Sequence, residues 1–487
     1  MFQMGIESYF KEYSFKNTKL EDFIRHMNEA VKKLAIEGDF IAWTDSWLKT
    51  AGCNYIWHDI EEKDGKITKF LVNQDIHENG EGNRLRKQKY QVAFYDKDMK
   101  VISTHDITTK DDQKQFSADN LVGLEAPHAY HINYMNYGYG KFIIDAKSMK
   151  AFEEGLVKIE SSMSRKQLYN IMSDMLQIDH KKLGKDEAIL SGAQVLDICK
   201  AQVMKETAPD VISETMRFLI PSIIKKYLPH DIYEKSQGEV FEMILDGVLT
   251  SGSLKNDKAT LHLTMDALFT SARNEHHYKL LQEMFEAGYV INTKKEKLEF
   301  CELSLKHKYD IVKRIYSSAE IDIAHKEKLM ATLEQDKSNA DWLDNCKSYC
   351  EAALPSNKDK MWELYFSNSD DLKSWELHKF QNSHVGFNQP QHRKFTQKFE
   401  DQFFDKILTV TDKFGRSVVE SYFYTLRPMT DVGEGLIQKY KDLLKKVEET
   451  NKDNTFVIKM IKETLGDLEE RQKCVAASKA YLEKNKK

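Results

Sequence analysis

The sequence predicts a mainly α-helical, multidomain chain: a small β-sandwich followed by a HEAT/armadillo-like α-superhelix. Three observations carry this expectation. Apolar residues recur at three- and four-residue steps near the N-terminus. From about 54 to 145 the pattern changes to strand-like alternation. After about 147 many short helical segments follow in series, joined by short polar turns.

Residues 1–52 read as three helices. In the second, Leu20, Phe23, Ile24, Met27, Val31 and Leu34 form one apolar stripe, and Thr18 with Glu21 reads as a capping box at its start. In the third, Asp39 caps the N-terminus, Phe40, Trp43 and Trp47 share a face, and Gly52 is a natural stop. Helices this short bury one face each and need a larger body to bury it against. Their apolar residues Phe2, Ile6, Phe10, Trp43 and Trp47 either pack locally on the sandwich or form an interface with a partner outside the chain.

Residues 53–146 read as the β-sandwich. In KQKYQVAFYD, Tyr90, Val92 and Phe94 alternate with Lys89, Gln91 and Tyr95. Asp64-Gly65 is a strong turn signal, and HENGEGN (77–83) reads as a loop. LVGLEAPHAYHINYMN and YGKFIID suggest the later strands. Residues 147–487 read as the helical superhelix, opened by Phe152, Leu156 and Ile159 and continued by segments such as LHLTMDALFTSA, HYKLLQEMFEAG and DQFFDKILTV. Exact sequence periodicity is absent.

Composition narrows the function classes. The chain has 487 residues, enough for several cores without disulfides or a structural metal. Charged residues make up 31% and the mean hydropathy is −0.59, as expected of a solvated surface. A net charge of −5 argues against a dedicated nucleic-acid binder. Cys53, Cys199, Cys301, Cys346, Cys350 and Cys474 show no framework spacing, which fits thiols in the cytoplasm or another reducing compartment. MFQMGIESYFKEY lacks the pattern of a secretory signal, and the most apolar stretch, MRFLIPSII, is too short to span a bilayer.

No motif of hydrolytic or nucleotide chemistry occurs. H-E-x-x-H is absent: His77-Glu78 is followed by Asn79 and Gly80. His128 and His131, three apart on a strand, would face opposite sides, and His276-His277 has no further ligand pattern around it. Cys346 and Cys350 share a helical face, which is half a zinc site, but small buried core residues are the better reading. There is no phosphate-loop motif and no G-x-S-x-G elbow. Catalytic, cofactor-binding and metal residues are therefore assigned to no position. The YLEKNKK tail reads as a solvated helix end.

The order of parts resembles the C-terminal half of zinc aminopeptidases of the aminopeptidase N (M1) family, bacterial-type branch. The resemblance rests on YFKEYSFKNTKLEDFIRHMNEA, on Trp43, Trp47, Leu48, Gly52 and Asn54, and on RKQKYQVAFYD and YGKFIIDAKSMKAF. Near the far end it rests on Gly386, Phe387, Gln389, Pro390, Phe399, Phe403, Phe404 and Pro428. It implies that residues 1–52 correspond to the last helices of a thermolysin-like catalytic domain. It also implies that the family's zinc motif, substrate motif and transition-state tyrosine lie upstream of everything matched here, so no catalytic residue carries over. The expectation is a non-catalytic, aminopeptidase-derived protein- or peptide-binding or structural module. A partner protein would dock on the N-terminal helices, a peptide would lie in the superhelix, and the chain would hold no cofactor. The alternative is the C-terminal capping half of a zinc aminopeptidase that removes N-terminal amino acids from peptides, its catalytic half on a separate or missing polypeptide.

Overall fold

The Asp64-Gly65 turn organises the sheet region. Both residues take left-handed backbone, with φ of 51° and 74°, so the chain reverses tightly between β1 (Asn54–Lys63) and β2 (Lys66–Ile76). β3 (Lys89–Tyr95), β4 (Val101–Thr108), β5 (Gln115–Ser117), β6 (Ala129–Tyr134) and β7 (Lys141–Phe142) follow. They form one sheet ordered β5-β2-β1-β7 and another ordered β4-β3-β6. The inner faces meet through Ile56, Phe70 and Val72 on one side and Tyr90, Val92 and Phe94 on the other, all buried. His58 lies between the sheets, 2.7 Å from the Tyr90 hydroxyl and stacked on Tyr130.

The computed structural model describes residues 1–36, 39–76, 84–178, 190–336, 338–430 and 432–485. The expected 77–83 loop, with His77 and Glu78, lies outside the described residues. The chain divides into two units, Met1–Met175 and Leu176–Lys487. The first holds the opening helices α1 (Phe2–Tyr13), α2 (Leu20–Lys33) and α3 (Phe40–Leu48), both sheets, α4 (Ala146–Gly155) and most of α5 (Ser162–Leu176).

Two local expectations shift. The α2 cap sits one residue later than Thr18: the Asp22 carboxylate accepts from the Lys19 backbone N–H at 3.0 Å, while the Thr18 hydroxyl pairs with that of Tyr9. Tyr95, expected on the solvent side of β3, is fully buried. The outer face of its sheet is covered by α4 and α5: Tyr95 stands edge-on to Phe152, and Gln167 donates to the Asn133 carbonyl at 2.5 Å. The stripe on α2 behaves as expected at its centre, where Ile24, Met27 and Val31 are buried, but Leu20 and Leu34 remain exposed.

The second unit is mainly helical. It begins with α6 (Gly192–Val203), then α7 (Pro209–Glu214) and α8 (Ile220–Ser222), linked and extended by π-helical turns at Thr215–Leu219 and Ile223–Tyr227. The wider turns flank Pro221, which has no N–H to donate. α9 (Tyr233–Glu242), α10 (Lys258–Ser271), α11 (Glu275–Ala287), α12 (Leu305–Tyr316), α13 (Ile323–Glu334) and α14 (Ala340–Ala353) continue the series. α15 (Lys358–Tyr365), α16 (Asp370–Lys373), α17 (Leu377–Phe387), α18 (Arg393–Thr396), α19 (Glu400–Lys406), α20 (Arg416–Leu426), α21 (Glu434–Thr450) and α22 (Thr455–Lys484) complete it. α10 packs on α12, α12 on α14, α14 on α17 and α17 on α20, the stacking expected of HEAT-like helices. One stretch read as helical is a hairpin, β8 (Tyr289–Ile291) with β9 (Lys297–Glu302). Gly288, at φ 74°, ends α11 in the left-handed region, and Val290 and Cys301 bury the hairpin's inner side.

Buried helix ends are closed by cations. The Lys358 ammonium, 1% exposed, donates to the carbonyls of Ala352 (2.6 Å), Gly386 (3.2 Å) and Phe387 (2.8 Å), at the ends of α14 and α17. α17 crosses α14 at Gly386, where a Cβ would stand 2.2 Å from the Tyr349 carbonyl oxygen.

Three outcomes follow for stability. Gly386→Ala is expected to lower unfolding stability by about 1–3 kcal/mol, because two helix backbones must move apart. Lys358→Met is expected to cost about 2 kcal/mol or more by leaving buried carbonyls without a donor. Urea denaturation measures both. Burial holds His58, His131 and His384 at a pKa of about 3 and His392 at about 2, against an ordinary 6.5. The unfolded chain therefore binds more protons below pH 6.5, so stability must fall as pH drops from 6.5 toward 3. The urea midpoint measured between pH 7 and 4 is expected to decline throughout that range.

Candidate functional site

The apolar face predicted on the opening helices is open at the surface of the first unit. Phe2 is 63% exposed, Phe10 58% and Trp43 45%, while Ile6 and Trp47 are half-buried. Phe15, Ile41 and Leu48 extend the exposed apolar surface. The local-packing reading holds for the inner part of this surface. The inner stripe of α2 packs on α1, where Gly5 lets Met27 approach, and the outer residues stay uncovered among the described residues.

Arg86 fixes the orientation of α3. Its side chain is fully buried. Nε donates to the Ser46 carbonyl at 3.0 Å, and Nη2 donates to the Ala51 carbonyl at 2.8 Å and to the Thr50 hydroxyl at 3.0 Å. The guanidinium also lies over Trp47, 5.4 Å from the ring centre, and Trp47 meets Tyr139 edge-on. Trp47 is thus held within the unit. One turn earlier, Trp43 stacks with Phe40 on the outside of α3, with ring centres 5.7 Å apart.

Of the metal candidates, His131, His277 and the cysteine pair sit in packing roles, while His128 and His276 are exposed. His131 is buried and stacked on Tyr95, and burial depresses its pKa. His277 is buried and stacked on Phe241 at 4.1 Å. The Cys346 and Cys350 sulfurs are 3.8 Å apart in the core, where burial pushes the Cys350 thiol pKa well up. Among the described residues no group of three or more His, Cys, Asp or Glu is placed to hold a metal ion. None of the described helices is long and apolar enough to cross a membrane.

The second unit contains a cavity of about 350 Å³ that sequence reasoning missed. Lys225, Lys226, Arg393, Arg427 and Arg471 line it, against Glu400 and Asp467. Arg471 donates to the carbonyls of Lys225 (2.8 Å) and Lys226 (3.3 Å), closing the end of the π-helical turn there. Arg427 donates to the Thr464 hydroxyl at 2.6 Å and approaches Asp467 at 3.4 Å, as does Lys226. Arg393 pairs with Glu400 at 3.4 Å. Burial, with the Arg427 charge adding to it, holds the Arg471 guanidinium below its ordinary pKa. The five cations come from segments up to some 250 residues apart in the sequence. Arg393 and Arg427 do fall in GFNQPQHRKF and SYFYTLRPM, stretches the sequence marked for another reason.

Comparison with known proteins agrees with this architecture. Over 171 residues the chain is 28% identical to aminopeptidase N of Streptomyces lividans, a match covering 34% of this chain and 19% of that protein. Its structure is similar to that of Legionella pneumophila aminopeptidase A in complex with aspartic acid. There the TM-score is 0.54 and the identity 13%, over 95% of this chain and 54% of that one. No family model matches. The chain thus spans about half the length of the solved aminopeptidase it resembles, and its match spans about a fifth of the Streptomyces protein.

Arg86→Met keeps the stem packing but removes the donors that hold α3. It is expected to cost about 2–3 kcal/mol and to raise hydrogen exchange in residues 40–52 selectively. Exchange mass spectrometry reads this directly.

Proposed function

We propose that this chain is a non-catalytic, aminopeptidase-derived binding module whose opening helices dock a partner protein. The observation that supports this most is the exposure of Phe2 and Phe10 on α1 and of Trp43 on α3. Each large apolar side chain left in water forgoes about 1.5–3 kcal/mol of burial, so several on neighbouring helices favour a covering surface. A peptide held by the helical unit is the second part of this reading, supported by the stacking of α10, α12, α14, α17 and α20, since stacked helices of this kind build extended binding surfaces.

A second reading is supported by the similarity of this fold to that of a solved aminopeptidase. The same face would then seat a catalytic half carried by another polypeptide, and this chain would limit access to that half's cleft. The two readings separate on the partner. Co-purification at equal stoichiometry with a chain carrying H-E-x-x-H, with peptidase activity only in the mixture, selects the second.

The purified chain alone is expected to bind a hydrophobic dye and to self-associate as its concentration rises. Phe2→Asp combined with Phe10→Asp is expected to remove most of both effects and leave the far-ultraviolet circular dichroism unchanged. A wild-type chain that stays monomeric and dye-silent would contradict the docking-face reading.

A further inference from the structure

The cavity in the second unit carries more positive charge than its own carboxylates offset. Five basic residues line it against two acidic ones, Glu400 and Asp467, and Asp467 is already shared between Lys226 and Arg427. Lys225 is exposed and has no ion-pair partner among the described residues, and the charges of Arg471, Lys226 and Arg427 all act on it repulsively. Arg427 Nε is buried without an acceptor among the described residues. Such a cluster is costly unless something negative enters it.

The chemistry of the wall narrows the ligand. Guanidinium groups match the paired oxygens of carboxylate and phosphate, and ammonium groups add point charge. The excess is larger than one carboxylate offsets, which favours a group carrying two or more charges. Beside the cations stands Tyr424, 40% exposed, with the Arg427 guanidinium 5.0 Å from its ring centre. That pair offers a flat surface next to the charged wall. We propose that this cavity is an anion site that takes the phosphate or diphosphate group of a small organic molecule, with Lys225, Arg393 and Arg427 meeting the oxygens. This goes beyond the docking reading and does not depend on it, because the site lies wholly within the second unit.

The test is isothermal titration of the full chain at low salt with inorganic pyrophosphate, a nucleoside diphosphate, citrate and an acidic peptide. Pyrophosphate is expected to bind with one site per chain. Lys225→Gln and Arg427→Gln are each expected to weaken it about tenfold, the loss of one charge-assisted hydrogen bond. Lys445→Gln, a highly exposed charge on α21, is expected to leave it unchanged. Lys225→Gln alters an exposed side chain and keeps the test valid if Arg427→Gln fails to fold. The nucleoside diphosphate binding at least as tightly as pyrophosphate supports an organic ligand, and weaker binding overturns that part. No pyrophosphate binding, binding indifferent to both cavity variants, or citrate or the peptide binding in its place would overturn the proposal. Peptide binding at the cavity would still favour the peptide part of the functional reading.

Discussion

A stack of short helices has many ends, and each end leaves carbonyl oxygens with no intrahelical donor. Where such an end is buried, water cannot serve, so a side chain must. This chain repeatedly uses a cation from a different helix. Arg314 of α12 donates to the Ala272 carbonyl at the end of α10, at 2.7 Å. Lys326 of α13 donates to the Ser318 carbonyl at 2.6 Å, just past α12. Lys358 serves α14 and α17 together, and Arg471 of α22 serves the run that ends near Tyr227. Positive charge at the negative end of a helix dipole is favourable, and several carbonyls around one cation offset part of its desolvation cost. Each of these bonds also sets the position of one helix relative to another.

The segment from Gly386 to His392 shows how far this constraint reaches. Gly386 permits the close crossing on α14, and the carbonyls of Gly386 and Phe387 receive Lys358. Asn388 donates to the Thr425 carbonyl at 2.6 Å, and His392 donates to the Ser317 carbonyl at 2.7 Å. One heptapeptide therefore ties α12, α14, α15, α17 and α20 together. It also forms part of the cavity wall, so the cavity is built on backbone that the packing cannot easily move. Arg471 has the same double role, since its donors to Lys225 and Lys226 hold the backbone that carries two of the wall's cations. In the first unit Arg86 does for α3 what these cations do for the stack, and so fixes which tryptophan is covered.

Period and turn chemistry were legible in the sequence because they are local. Tyr90, Val92 and Phe94 announced β3, Asp64-Gly65 the tight turn between β1 and β2, and Asp39 the start of α3, where its carboxylate accepts from the Ala42 N–H at 2.9 Å. Tyr95 was misplaced because alternation reports one buried face and cannot announce a second layer of helices. Thr18 looked like a cap because its hydroxyl suits the role, but Tyr9 competes for it and Asp22 takes over. The β8–β9 hairpin is short and follows a helix, so only Gly288 hinted at it. The cationic cavity and the capped helix ends were hidden because their partners are far apart in sequence: nothing local links Lys358 to Phe387, or Arg471 to Lys225. Of the proposed interface, Phe2, Phe10 and Trp43 were legible from periodicity alone, whereas the covering of Trp47 required Arg86.

The fold is similar to that of a solved aminopeptidase. The fold is carried by the packing of the sheets and of the helical stack, and the proposed docking surface is the exposed part of the opening helices. The most direct measurement is release of free amino acid from a panel of unblocked peptides by the purified chain, with zinc titrated in. The account predicts release at the background rate at every zinc concentration. Zinc-dependent release that co-elutes with the chain and survives its purification to homogeneity would contradict it.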